Sequence, residues 1–256
     1  MLKGLFYICT ALLSLGQFSR LVRIGEGVIY LFDVAVILFA VIGTLYFLIS
    51  RKLKISKYLV AFFTFCFIGA IALVFNMPNL SSDEFLMALS YLGRLFFYIL
   101  GANTVFNMLD QGLISKRDLF YTFMYSGLFI AFAGFVQLLV LPDFTTLDPA
   151  LGWDPHRNRL ASTFFDPNFT GVYLTLVFIL LVFRDRFLDK KELQDKKKLF
   201  LGIGAVILLA VFLTYSRSTW GMLGVFVLIY GMVKSRKMVF LALVIAFLAY
   251  FAVPRI

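Results

Sequence analysis

The sequence predicts an all-α integral membrane protein, about nine transmembrane helices with a cytoplasmic N-terminus, on three observations. Hydrophobic residues make up 62% of the chain and charged ones 15%, at a mean hydropathy of +0.94. That is more apolar surface than a soluble domain of this length can bury. The apolar residues form long runs, of the order of the ~20 residues a helix needs to cross a ~30 Å hydrocarbon core. Lysine and arginine gather in blocks between the runs, as in cytoplasmic loops of membrane proteins. Backbone groups in lipid must be satisfied within the segment, which selects helices for runs of this kind.

Taken in order, the apolar runs predict helices near 4–18, 28–49, 58–75, 85–109 and 119–141, then 168–183, 199–214, 220–233 and 238–253. All nine belong to one polytopic domain over 1–256. The first run carries a Lys3 flank and small residues at Ser14 and Gly16, features shared with signal peptides. Eight further apolar runs favour a retained first helix. The last four runs are short, so they extend into their flanks, cross a thinned bilayer, or include a half-crossing. An extracytoplasmic loop spans 142–167, and a basic cytoplasmic loop spans 184–198.

Charge sets the orientation. With the N-terminus inside, 17 of the 24 Lys and Arg residues face the cytoplasm, which satisfies the positive-inside rule. All 12 lysines fall on that side, so each basic residue placed outside or embedded is an arginine. Arginine offers a flat fork of donors suited to phosphate or carboxylate and keeps its charge when partly desolvated. The outer set therefore points to a polyanionic ligand. The competing reading pairs those arginines with the outer acids Glu26, Asp83, Asp143 and Asp154, or lets them reach lipid phosphates. The net charge of +10 is accounted for by loops, so nucleic acid is not an expected partner. Cys9 and Cys66 lie inside apolar runs and His156 is the single histidine, so neither a disulfide framework nor a metal site is expected.

Several residues are candidates for chemistry. Arg94 lies about nine residues, hence about 14 Å, below the outer end of its run. A charge at that depth has to face a partner or a water-filled cavity. It either lines a substrate cavity or pairs with Asp33 to tie two helices. In the outer loop stand His156, Arg157 and Arg159, ahead of Asp166, Pro167 and Asn168. Asp166 reads as an N-cap and Pro167 as the first helical residue, which would set free amide donors beside Arg159. Helix N-termini attract anions, so a phosphate fits there. His156 has the chemistry of a base near neutral pH, although an exposed loop imidazole is the commoner outcome. Ser216 and Arg217 sit in a polar turn, Thr214 to Trp220, where a turn alone does not call for arginine.

Three stretches carry a resemblance: YLGRLFFYIL at 91–100, RLASTFFDPNFTGVYL at 159–174 and LTYSRSTWGML at 213–223. Together they resemble the O-antigen ligase and O-antigen polymerase family of bacterial membrane glycosyltransferases. The shared pattern is an Arg ahead of a Pro-Asn pair opening a helix, then a Thr-x-Ser-Arg turn further on. Arg159, Pro167, Asn168, Thr214, Ser216 and Arg217 match it. The resemblance implies transfer of glycan from a polyprenyl-pyrophosphate donor to a saccharide or lipid-linked saccharide acceptor, without metal or cofactor. It places the reaction at the outer face of a bacterial plasma membrane. It assigns pyrophosphate binding and leaving-group stabilisation to Arg159 and Arg217. Substrate contacts would come from Arg94, His156, Arg157, Asp166, Asn168 and Ser216, with membrane lipid as surroundings. Family members continue into a large outer loop with a catalytic histidine, whereas this sequence ends at VPRI. A shortened form, a partner chain that supplies the rest, or a loss of activity each fits that departure. Two other classes use the same features: a transporter or flippase of lipid-linked saccharide, and a non-catalytic scaffold that binds lipid headgroups. No internal repeat of the kind that marks many transporters is visible.

Overall fold

The computed structural model describes residues 1–24, 27–147, 155–234 and 239–240, and within these the chain is mostly helical. Among the described residues five helical segments are long and apolar enough to cross a membrane: Leu2–Ser19, Leu31–Ile49, Val60–Asn79, Ser82–Asp110 and Lys116–Val140. Pro167–Val182 is apolar but shorter. The fold is thus that of a multi-pass, membrane-associated helical protein. The predicted helix near 238–253 lies almost entirely outside the described residues. Two compact units divide the chain, Met1–Leu119 and Phe120–Ile256.

The first unit opens with α1 (Leu2–Leu15) and then departs from an all-helical fold. Strands β1 (Arg20–Ile24) and β2 (Gly27–Tyr30) pair antiparallel, with Arg20 opposite Tyr30. Their β-branched and aromatic residues, Val22, Val28, Ile29 and Tyr30, suit a pleated ribbon, so the helix expected from 28 begins later. It is α2 (Leu31–Ile49), whose first turn is closed by the Tyr30 amide donating to Asp33 Oδ2 at 3.0 Å.

Next come α3 (Val60–Asn76) and α4 (Ser82–Asp110). The start of α4 moves three residues upstream of the apolar run because Ser81 and Glu84 form a capping box. The Ser81 amide donates to Glu84 Oε2 at 2.8 Å and the Glu84 amide to Ser81 Oγ at 3.3 Å. Helices α2 and α4 pack along Phe39, Ala40, Phe47, Ile99 and Met108, all buried. By contrast, Cys66 is the one buried residue on α3.

At the far end of α4 two asparagines one turn apart hold the basic stretch after α2. Asn107 Oδ1 accepts from the Lys54 amide at 2.8 Å and Asn103 Oδ1 from the Ser56 amide at 3.0 Å. Both side-chain amides donate back to the Lys54 carbonyl, Asn107 at 2.8 Å and Asn103 at 3.0 Å. An irregular backbone beside a membrane helix is left with its polar groups paired.

In the second unit α5 (Lys116–Val140, from Phe120 onward) is followed by α6 (Pro167–Val182), α7 (Lys190–Asp195), α8 (Lys197–Leu213) and α9 (Arg217–Lys234). The basic loop expected at 184–198 therefore contains a short helix. Tyr121 ties it to α5: its hydroxyl donates to Glu192 at 2.6 Å and accepts from Lys196 at 3.0 Å. The Tyr121 hydroxyl and then the Glu192 carboxylate hold the Lys196 ammonium above its ordinary range. Helix α6 packs on both α8 and α9.

Candidate functional site

Helices α6 and α9 run side by side in the same direction. Near their starts a methyl group added at Gly171 would lie 2.3 Å from Thr219 Oγ1, an approach only glycine permits. Near their ends Phe183 meets Phe226 and Tyr230, with ring centroids 6.1 and 5.6 Å apart. Two helix N-termini, each with a positive dipole end, are thereby brought to one end of the unit. The C-terminus of α8 arrives at the same end and turns through Thr214 and Tyr215 into α9.

Arg159 lies against that turn. Its Nε donates to the Thr214 carbonyl at 2.9 Å, and Nη2 reaches the Tyr215 carbonyl and Asn168 Oδ1, both at 3.4 Å. The Leu160 amide donates to the Leu213 carbonyl at 2.8 Å, so the segment before α6 is laced to the end of α8. Arg159 and Arg217, widely separated in sequence, are therefore brought to neighbouring positions: Arg217 is the first residue of α9, two beyond Tyr215. Its side chain is exposed and makes no hydrogen bond or ion pair among the described residues.

Asp166 caps α6 as its position predicts, with Oδ1 accepting from the Asn168 and Phe169 amides at 2.7 and 3.1 Å. That corrects one expectation. The first amides of α6 are taken by the cap and are not free for a ligand, because a short acidic side chain at this position satisfies them locally. Asn168 itself is exposed and faces Arg159.

Ser216 is also reassigned. It is fully buried, and its hydroxyl receives Thr219 Oγ1 at 2.9 Å and the Thr219 amide at 3.4 Å. It caps α9 from within, and its hydroxyl is not presented to a substrate. His156 is likewise not an exposed loop imidazole. It is 6% exposed, and its ring stacks on Phe144 with centroids 4.3 Å apart. The Phe144 amide donates to the His156 carbonyl at 2.9 Å, which draws the ring inward.

Arg157 takes the acid-paired alternative. Its Nε lies 2.9 Å from Asp143 Oδ2, and Nη2 donates to Thr145 at 3.2 Å. The Thr145 hydroxyl first, and the Arg157 guanidinium after it, hold the Asp143 carboxyl below its ordinary range.

Arg94 belongs to the first unit and is also paired. Nη2 lies 3.0 Å from Asp33 Oδ2 and donates to the Val28 carbonyl at 2.6 Å. Tyr98 donates to the other Asp33 oxygen. Asp33 is buried, and Arg94 is joined to the first turn of α2 and to β2. An open apolar groove of about 420 Å³ runs between α3 and α4 past Tyr91 and Leu95, but Arg94 does not line it. The geometry supports the helix-tying alternative.

Among the described residues no group of three or more His, Cys, Asp or Glu side chains converges as metal ligands would. One contributor escaped the sequence reading. Gln137, buried on α5, hydrogen-bonds the backbone of the segment that presents Arg159. Its signal was an amide side chain inside an apolar run, where an unpaired polar group is costly. No protein-family model matches the chain, and comparisons with characterised proteins and with solved structures return no match.

Proposed function

We infer that the second unit binds a pyrophosphate-bearing lipid and that the protein transfers glycan from a polyprenyl-pyrophosphate donor to a saccharide acceptor, in the manner of an O-antigen ligase or polymerase. On this reading the N-terminus is cytoplasmic, the helices span a bacterial plasma membrane, and the Arg159–Arg217 end faces outward. One observation carries it. An exposed arginine with no partner among the described residues, Arg217, opens α9 two residues beyond the carbonyl that accepts from Arg159. Two converging guanidinium-bearing segments suit a doubly charged phosphate group.

In the transfer, the acceptor hydroxyl oxygen bonds to the anomeric carbon while the bond from that carbon to the pyrophosphate oxygen breaks. The electron pair leaves on pyrophosphate. Arg217 and Arg159 would meet the charge that develops there, the step at which fixed positive groups help most. The acceptor hydroxyl proton passes to water or to the departing pyrophosphate, whose oxygens gain the electron pair; in the enzymes that the chain resembles a histidine on a large outer loop takes it, and His156, stacked on Phe144, is not given that role. Arg94 is assigned to holding the first unit together.

The test uses the full chain in membranes with a polyprenyl-pyrophosphate-linked glycan and a saccharide acceptor. Wild type forms the extended or acceptor-linked product. Arg159→Ala and Arg217→Ala each slow it by roughly 10²- to 10³-fold, the usual loss for a donor that meets developing charge. Wild-type rates from both variants would reject the assignment and leave a lipid-binding scaffold as the better account.

A further inference from the structure

We propose that Gln137 is a positioning residue for Arg159, which rests on the anion-binding reading of that site. Residues 159–161 run between α5, α6 and α8 without regular secondary structure and lead into a single 3-10 turn, Ser162–Phe164. Such backbone is tolerated at membrane depth only when its polar groups find partners in the protein. Gln137 supplies three of them. Its Oε1 accepts from the Ala161 amide at 2.8 Å and from the Ser162 amide at 3.2 Å. Its Nε2 donates to the Leu141 carbonyl at 2.8 Å and reaches the Arg159 carbonyl at 3.4 Å. One side chain thus grips the backbone of Arg159 and of the two residues that follow Leu160.

The rest of that face of α5 is shaped to the same segment. Leu160, fully buried, seats on Gly134, where a methyl group would lie 2.5 Å from Leu160 Cδ2. The Ser162 hydroxyl donates to the Ile130 carbonyl at 2.6 Å. Ile130, Gly134 and Gln137 are spaced four and three apart, hence on one stripe of the helix. From the other side Thr170 of α6 donates to the Ala161 carbonyl at 2.6 Å. Ser162 is held at φ 55°, a left-handed conformation that surrounding bonds must maintain in a non-glycine residue. The amide of Gln137 therefore sets where the Arg159 backbone lies against α5, and with it the reach of the guanidinium toward the Thr214–Arg217 turn.

Gln137→Met keeps the length of the side chain and suits lipid but can form none of the four bonds. Hydrogen exchange on the full chain in detergent reads the consequence without any ligand. The segment 158–165 loses protection in Gln137→Met, while α6 and α9 keep theirs; unchanged exchange in 158–165 overturns the proposal. Binding of inorganic pyrophosphate gives the second arm. Affinity falls about tenfold in Gln137→Met, the equivalent of one or two neutral hydrogen bonds. The double variant Gln137→Met with Arg159→Ala binds no more weakly than Arg159→Ala alone, because the amide acts through the arginine. Additive losses mean that Gln137 only supports the fold, and overturn its positioning role. The two readings fail differently. Wild-type pyrophosphate binding in Arg159→Ala and Arg217→Ala, or none in the unsubstituted chain, removes the anion site and with it any ligand role for Gln137. Loss in Arg159→Ala with wild-type affinity in Gln137→Met removes the Gln137 proposal alone.

Discussion

Arg94 in the first unit and Arg159 in the second are both half-buried arginines, but they are held by different chemistry. Arg94 meets a buried carboxylate, Asp33, whose other oxygen is taken by Tyr98. Arg159 is gripped along its edge by the carbonyls of Thr214 and Tyr215 and by the Asn168 side chain. A carboxylate cancels charge, whereas a carbonyl orients a guanidinium and leaves its charge in place. A charge inside an apolar chain is therefore a functional signal only once its partner is known. The first arginine closes a joint; the second is aimed.

The largest effect that tests this contrast is on stability. Removing one member of the buried pair strands the other, so Arg94→Ala lowers the unfolding free energy by about 3–5 kcal/mol. The double change Arg94→Met with Asp33→Leu restores most of that. Denaturation in a fixed detergent measures both, and a near-neutral Arg94→Ala would break the contrast. Next comes Arg217→Ala, which leaves stability within about 0.5 kcal/mol, as for an exposed side chain with no partner among the described residues. It costs roughly 100-fold in transfer rate or pyrophosphate affinity. Equal losses in stability and affinity would mean that Arg217 belongs with Arg94. Gly171→Ala follows: the added methyl forces α6 from Thr219 and costs about 1–3 kcal/mol. The same variant with Thr219→Ala recovers part of the loss, and thermal unfolding of the pair checks it.

The smallest effect is pH-linked. Asp143 has its carboxyl lowered on folding by Thr145 and Arg157, so its stabilising contribution is full above the ordinary carboxylate range. That contribution disappears as pH falls through the lowered folded value. The gap in thermal midpoint between the wild type and Asp143→Asn thus closes in acid, and transfer activity at neutral pH is unchanged. A gap that widens in acid would contradict the assignment.

Hydropathy made most helices legible, because an apolar run long enough to cross a membrane has few other fates. The cap at Asp166 was legible too, since Asp before Pro is a local pattern. What escaped depends on partners distant in sequence. The strand pair before α2 hid within residues also compatible with helix, and its hydrogen bonds are invisible without register. Ser216 and His156 read as exposed polar groups in loops, but Ser216 caps the helix it precedes and His156 is drawn under Phe144 by a backbone bond. Of the candidate site, the types and order of Arg159 and Arg217 were readable. The grip of Gln137 on the segment between them was not.

The paired asparagines at the end of α4 have a mechanical consequence. With Arg94 bolted to α2 and β2 near its middle, and Asn103 and Asn107 riveted to residues 54–56 lower down, α4 cannot slide or swivel without tearing hydrogen bonds at two levels. It is the mast of the first unit. Its neighbour α3, with Cys66 as its one buried residue, leans on it lightly. Of the two helices packed on it, α3 keeps the smaller buried surface, so parting α3 from the mast costs less than parting α2 from it.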